Sequence, residues 1–201
     1  MAPALKPGFA DPPADAARCF RILLDAMSRP GLVQKIATDL PAAGRLNPAS
    51  VMTALTLCDH ESPVWLDDTA GDEAIDYIRF HCGAPITRDT SQAAFAFFAG
   101  WPDQSVLAGF SIGSPDYPDA SATLVIQVDG VSNSEDGVAL AGPGIESVHR
   151  LAVTGLPDEF WTWLQASDRT FPLGIDIILA GPDCLAALPR TVRVMEAAGC
   201  M

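Results

Sequence analysis

Apolar positions recur at three- and four-residue spacing from Ala16 through Phe20, Leu23, Leu24 and Met27, which predicts one buried stripe on an N-terminal helix. Asp11-Pro12-Pro13 starts that helix, with Asp as cap and proline where an amide would be unpaired anyway. Arg29-Pro30-Gly31 ends it, because Pro30 keeps its predecessor out of the α region and Gly31 permits a tight turn. A strand is predicted over Leu32 to Ala37. Asn47-Pro48 repeats the start signal for a helix reaching about Cys58, with Val51, Leu55 and Cys58 inward. Pro63 to Leu66 reads as a short strand. Thr69-Ala70-Gly71-Asp72 reads as a capping box with Asp for Glu, opening a helix through Ile75, Ile78 and Arg79 that Gly83 to Pro85 closes.

Farther along, the apolar runs become continuous. Ala94 to Phe98 and Ala122 to Val128 predict buried strands, separated by a loop rich in Gly, Ser and Pro over Gly109 to Asp119. Val131 to Gly137 reads as an exposed hairpin connection, and Val138 to Leu140 pairs with Val148 to Val153 around the Gly142-Pro143-Gly144 turn. Pro157 starts a helix whose inner face is Phe160, Trp161, Trp163 and Leu164. Ile175 to Ala180 is a buried strand carrying one acid, Asp176; Asp183 to Leu188 reads as a short helix and Thr191 to Met195 as a last strand. The alternation predicts an α/β fold, a mixed sheet covered by helices on both faces. One domain over residues 1–201 is expected, with 1–10 a flexible leader.

Charge and composition narrow the function classes. Twelve basic against 25 acidic residues give a net charge of −13, which disfavours nucleic acid and anionic membrane as partners. A hydrophobic share of 49% with 18% charged residues excludes intrinsic disorder. The longest apolar candidate, Ala93 to Ala99, stops at Gly100 and is too short to span a bilayer. Five cysteines without CxxC spacing point to reduced thiols in a cytoplasmic protein.

The chemical signals are sparse. Lys6, in the leader, and Lys35 are the lysines available for a Schiff base, and neither is a credible one, so no cofactor is expected. Neither dinucleotide nor Walker spacing occurs, and Gly142-Pro143-Gly144 reads as a structural turn. Cys58, His60, His81 and Cys82 are zinc-ligand types at poor spacing, better read as core thiols beside ordinary histidines, so no metal is expected. His149 faces either the core or an interface; Ser111 and Ser114 are turn residues. Arginine is more informative, since its planar fork suits phosphate, and Arg29, Arg79 and Arg190 each stand at an element boundary. Asp176 inside an apolar strand requires a partner, and Arg190 or the backbone is the expected one.

Phe20 to Gly31, Pro63 to Leu66, Arg79-Phe80-His81 with Ala84-Pro85, Phe171 to Leu179 and Pro189-Arg190-Thr191, in that order, resemble the H subunit of bacterial carbon–phosphorus lyase, the PhnH family, over about residues 9 to 195. One block departs from the family's P-E-x-G-A-T run, with Asp119 for Glu and Ser121 for Gly. The resemblance implies a cytoplasmic homodimer in a core complex with the G, I and J subunits. It also implies a fold similar to pyridoxal-phosphate-dependent transferases without the cofactor lysine. With the G, I and L subunits, members make α-D-ribose 1-alkylphosphonate 5-triphosphate from ATP and an alkylphosphonate, releasing adenine; the J subunit later cleaves the carbon–phosphorus bond. An assisting or scaffold subunit is therefore the leading expectation, with Arg29, Arg79, His81, Asp176, Arg190 and Thr191 as ligand or subunit-contact candidates. The alternatives are a self-sufficient transferase or hydrolase, its arginines holding an anionic substrate and His81 or His149 moving the proton, and a small-molecule sensor.

Overall fold

The computed structural model describes residues 5–167 and 170–195. In chain order the elements are α1 (Pro12–Ser28), β1 (Gln34–Lys35), α2 (Pro48–Leu57), β2 (Val64–Leu66), α3 (Asp72–Cys82), β3 (Phe95–Phe98), α4 (Gln104–Leu107), β4 (Thr123–Gln127), β5 (Gly130–Ser132), β6 (Val138–Ala141), β7 (His149–Thr154), α5 (Glu159–Ser167), β8 (Asp176–Ala180), β9 (Cys184–Leu188) and β10 (Arg193–Val194). Six strands form the main sheet in the order β1-β9-β8-β4-β3-β2. β2, β3, β4 and β8 run parallel, while β9 is antiparallel to β8 and β1 antiparallel to β9. A smaller antiparallel sheet has the order β10-β6-β7-β5. The fold is thus the expected α/β arrangement with a mixed sheet.

Alternation along each strand divides the core into two layers. Phe97, Val125, Ile178 and Ala187 point to one face, where α1, α2 and α3 pack. Phe98, Ile126, Leu179 and Ala186 point to the other, where α4, α5 and the smaller sheet pack. Both faces are covered, so the central strands read as continuous apolar runs. Local signals behave as expected at two helix starts: Asp11 accepts from the Ala14 amide and Asn47 from the Ser50 amide, each just before a proline.

Several elements differ from expectation. Cys184–Leu188 is a strand rather than a helix. Its Leu and Ala residues favour helix locally, but all five positions are buried, and Leu185 and Ala187 meet one layer while Cys184, Ala186 and Leu188 meet the other. Tertiary packing overrides propensity there. On α1 the sheet-facing row is Cys19, Leu23 and Ala26, and Phe20 and Leu24 stay 48% and 55% exposed. Small side chains at 19 and 26 let the helix lie close, which rotates the longer ones outward. The capping box of α3 does not form: Gly71 is the cap, at φ +84° and without a side-chain bond, while the Thr69 amide donates to Asp67. β1 covers only Gln34–Lys35 of the strand expected over Leu32 to Ala37, and β5 overlaps the start of the stretch read as a hairpin connection. Residues 5–10 run along α3, where Lys6 pairs with Glu73 at 2.8 Å and Pro7 O accepts from the Tyr77 hydroxyl at 2.9 Å.

Candidate functional site

The residues singled out by sequence gather first at the N-terminal edge of the parallel strands. Pro30 holds Arg29 at φ −126°, ending α1, and Gly31 at φ +74° turns the chain so that its amide reaches Ala187 O on β9 at 3.0 Å. The Gly142–Gly144 turn wedges between this corner and the one after β9. A Cβ on Gly144 would stand 2.1 Å from Ser28 O, and one on Gly142 would stand 2.7 Å from Thr191 O. Two glycines are therefore demanded by close backbone approach as well as by positive φ. His149 closes the corner by donating from Nδ1 to Pro30 O at 2.8 Å.

Asp176 and Arg190 face each other because β8 begins where β9 ends, Ile177 standing opposite Leu188. Asp176 Oδ1 accepts from the Arg190 backbone amide at 2.8 Å and from its Nε at 3.2 Å, and Oδ2 accepts from Nη2 at 2.5 Å. Nη1 donates to Pro118 O, pinning the loop that carries Asp119 and Ser121. Both side chains are largely covered, at 15% and 16% exposure. Gly174 makes room for the arginine stem, since a Cβ there would sit 2.9 Å from Arg190 Cβ. The pairing expected of Asp176 is present, and it uses both the guanidinium and the backbone. A carboxylate already fills the bidentate face of the fork, and the remaining terminal nitrogen holds the loop at Pro118.

The other candidates stand apart. Arg29 pairs with Asp25 one turn back on α1 and is exposed. Arg79 lies on the last turn of α3 and lines a cavity of about 440 Å³ with Asp72, Asp76 and Arg88. His81 donates from Nε2 to Lys6 O at 3.0 Å and packs tilted against the Tyr77 ring at 4.3 Å. Thr191 sits in the turn that Gly142 touches. Arg29 and Arg190 flank the β9–β8 end of the sheet, and Arg79 and His81 the β2 margin. Four strand spacings separate these positions, on the order of 20 Å. The arginines and His81 do not converge on one substrate.

Among the described cysteines, burial disfavours the thiolate form. Burial pushes the Cys82 thiol up to about 12, and burial with Cys82 nearby pushes Cys58 up as well. Among the described residues no three potential metal ligands gather. Sequence reasoning overlooked Asn133, which accepts from the Val33 amide at 2.9 Å and donates to Gly31 O and Arg150 O at 2.8 Å each, tying the smaller sheet to the α1 corner. An Asn in a polar hairpin gives no local hint of such a long-range role. It also overlooked an apolar groove of about 390 Å³ at the same edge, formed by Leu107, Phe110, Ile112, Trp163 and Ile175. The signal was there in part, since Ile112, Tyr117 and Phe171 are large apolar residues in loops.

Comparison with known proteins places the chain among named relatives over nearly its whole length. Residues 7–195 match the family model described as bacterial phosphonate metabolism protein (PhnH). The chain is 37% identical over 187 residues to the alpha-D-ribose 1-methylphosphonate 5-triphosphate synthase subunit PhnH of Rhizobium meliloti (strain 1021), covering 92% of this chain and 93% of that one. It is 30% identical over 197 residues to a protein of Stutzerimonas stutzeri provisionally named C–P lyase subunit protein HtxG, covering 93% and 94%. A match that spans both the Ser28–Gly31 corner and the Asp176–Arg190 clamp takes in the whole architecture, and the chain belongs to the PhnH family of bacterial phosphonate metabolism proteins.

Proposed function

We propose that this chain is an assisting subunit of a ribose 1-methylphosphonate 5-triphosphate synthase, working in phosphonate catabolism by completing an assembly with other carbon–phosphorus lyase subunits. The observation that carries this reading is the state of its arginines: Arg190 is consumed by Asp176 and Pro118 O, Arg29 by Asp25, and Arg79 lies across the sheet from both. A self-sufficient enzyme for an anionic substrate would need them together. What the N-terminal edge offers instead is an apolar groove, with Tyr117 and Phe171 67% and 57% exposed on its flanking loops. Exposed apolar surface of this kind suits a protein partner, and Asp116 and Asp119 on the same loop favour a basic one.

The finer reading names the G, I and J subunits as partners, a second copy of this chain across the exposed Phe20 and Leu24 of α1, and a cytoplasmic setting suited to the free thiols. It includes a likeness to pyridoxal-phosphate-dependent transferases without the cofactor. The ion-paired Lys6 and the exposed Lys35 on the outermost strand bear on the missing cofactor lysine alone, since neither is desolvated as a Schiff-base lysine would be.

The test is co-expression with the G, I and J subunits and purification through a tag on this chain. Capture of the other subunits is expected, and Ile112→Asp with Phe171→Asp should lower it at unchanged melting temperature. Failure to capture any of them, or turnover of ATP and methylphosphonate by this chain alone, overturns the reading.

A further inference from the structure

A crevice opens at the opposite edge of the main sheet, where β2 and β3 end. β2 hands the chain to α3, which packs on one face, whereas β3 hands it to α4, which packs on the other. The loops after these adjacent parallel strands therefore part as they leave the sheet. In open α/β sheets, a divergence of this kind outside the carboxyl ends of the strands is where small ligands bind. Here it encloses about 500 Å³, within the range of small-molecule sites.

The lining has a definite chemistry. Trp65, Phe98 and Trp101 supply aromatic walls, and they are braced from behind: Trp65 tilts against Phe98 at 5.1 Å, and Trp101 meets Phe160 and Trp163 edge-on at 5.2 and 5.7 Å. Asp67 fixes the mouth by accepting from the Thr69 and Ala99 amides, so one side chain holds both diverging loops. Asp68 is tied to Arg88 at 2.7 Å. Asp103 is different. It precedes α4 without making a side-chain cap bond, and it has no partner among the described residues. No basic side chain among the described residues lines the crevice.

Aromatic faces present negative charge to a ligand, and an uncompensated carboxylate adds to it. Phosphate and phosphonate are repelled by such a lining and by a net charge of −13. We propose that this crevice is a binding site for an organic cation, a guanidinium or ammonium group on an apolar stem. The site goes beyond the subunit role proposed above, because it lies at the other end of the parallel strands and selects the opposite charge from the family's anionic substrates. Two sources carry this chemistry: an Arg or Lys side chain of a partner subunit, or a free small cation.

The experiment titrates the full chain with N-acetyl-argininamide in one arm and choline in the other, reading the indole N–H signals of ¹⁵N-labelled protein, assigned through Trp65→Phe and Trp101→Phe. Saturable shifts of the Trp65 and Trp101 signals are expected. Binding of the arginine probe alone identifies a partner's side chain as the source, choline alone a free cation, and both the cation class itself. Trp101→Leu should weaken binding about tenfold. Asp103→Asn, an exposed change that leaves the fold intact, should weaken it roughly fivefold and carries the test if the tryptophan variants do not fold. The proposal is overturned if neither cation moves these two signals by millimolar concentration, if ATP moves them equally, or if Asp103→Asn leaves the affinity unchanged. Failure here leaves subunit capture untouched, so the two readings are separable.

Discussion

The two ends of the parallel strands use aspartate to opposite effect. At the N-terminal edge, Arg190, Asp176, His149 and Asn133 direct their hydrogen-bonding groups inward, to other parts of the chain. Gly142 and Gly144 let three backbone turns lie in contact. At the C-terminal edge, Trp65 and Trp101 remain half-buried beside a carboxylate that caps nothing. One edge spends its chemistry on shape; the other keeps some unspent. A charged residue at an element boundary is thus ambiguous until its partners are known, and the difference turns on whether a second charge lies within about 3 Å.

The sharpest way to break this contrast is Asp176→Ala. It leaves a covered guanidinium without its carboxylate and frees the Pro118 loop, which should cost about 3–5 kcal/mol in urea unfolding. An unchanged midpoint would mean that the clamp is not formed and that Arg190 is available to a ligand after all. Gly144→Ala comes next, at about 3 kcal/mol, since a non-glycine residue would be forced to φ +83° against Ser28 O. Gly83→Ala serves as its control. That glycine is equally left-handed, at φ +66°, but nothing lies within 4 Å of an added Cβ, so about 1 kcal/mol is expected. Equal losses would show that contact between turns contributes nothing. Asn133→Ala should cost about 2 kcal/mol by orphaning the Val33 amide and two carbonyls, read as earlier melting and faster amide exchange at Val33.

Much of the fold was legible because its signals are local. Asp11 and Asn47 before proline, Gly31, Gly83 and the runs at Phe95–Phe98 and Thr123–Gln127 each carry their physical reason within a few residues. Cys184–Leu188 was misread because its preference is set by two layers distant in sequence. The Asp176–Arg190 pair was legible, since an acid in an apolar strand must be matched and an arginine followed 14 residues later. The rest of the candidate set was not. Whether Arg29, Arg79 and His81 converge depends on strand order, and β1-β9-β8-β4-β3-β2 puts them at opposite margins of the sheet. The crevice lined by Trp65 and Trp101 was hidden for the same reason, because it exists through the opposite placement of α3 and α4.

The smallest expected effect tests how far the inward-directed pattern extends, at the β2 margin where residues 5–10 lie on α3. Tyr77 is fully buried, and its hydroxyl donates to Pro7 O at 2.9 Å. Burial, with Cys82 nearby, pushes its ionisation from 10.0 up to about 12. The folded chain therefore holds this proton more tightly than the unfolded one. By linkage, its contribution is complete below pH 10 and is lost as pH rises from there toward about 12. Cys82, raised from 9.0 to about 12, adds a decline of the same sign that begins near pH 9. Tyr77→Phe should cost about 1 kcal/mol at neutral pH, the value of one hydrogen bond whose acceptor regains water. The variant should also lose stability less steeply than the parent between pH 10 and pH 12, with the Cys82 decline remaining in both. Urea midpoints across that range decide the matter. Parallel curves for parent and variant would mean that the Tyr77 hydroxyl faces water, and that the N-terminal segment is not held on α3 by it.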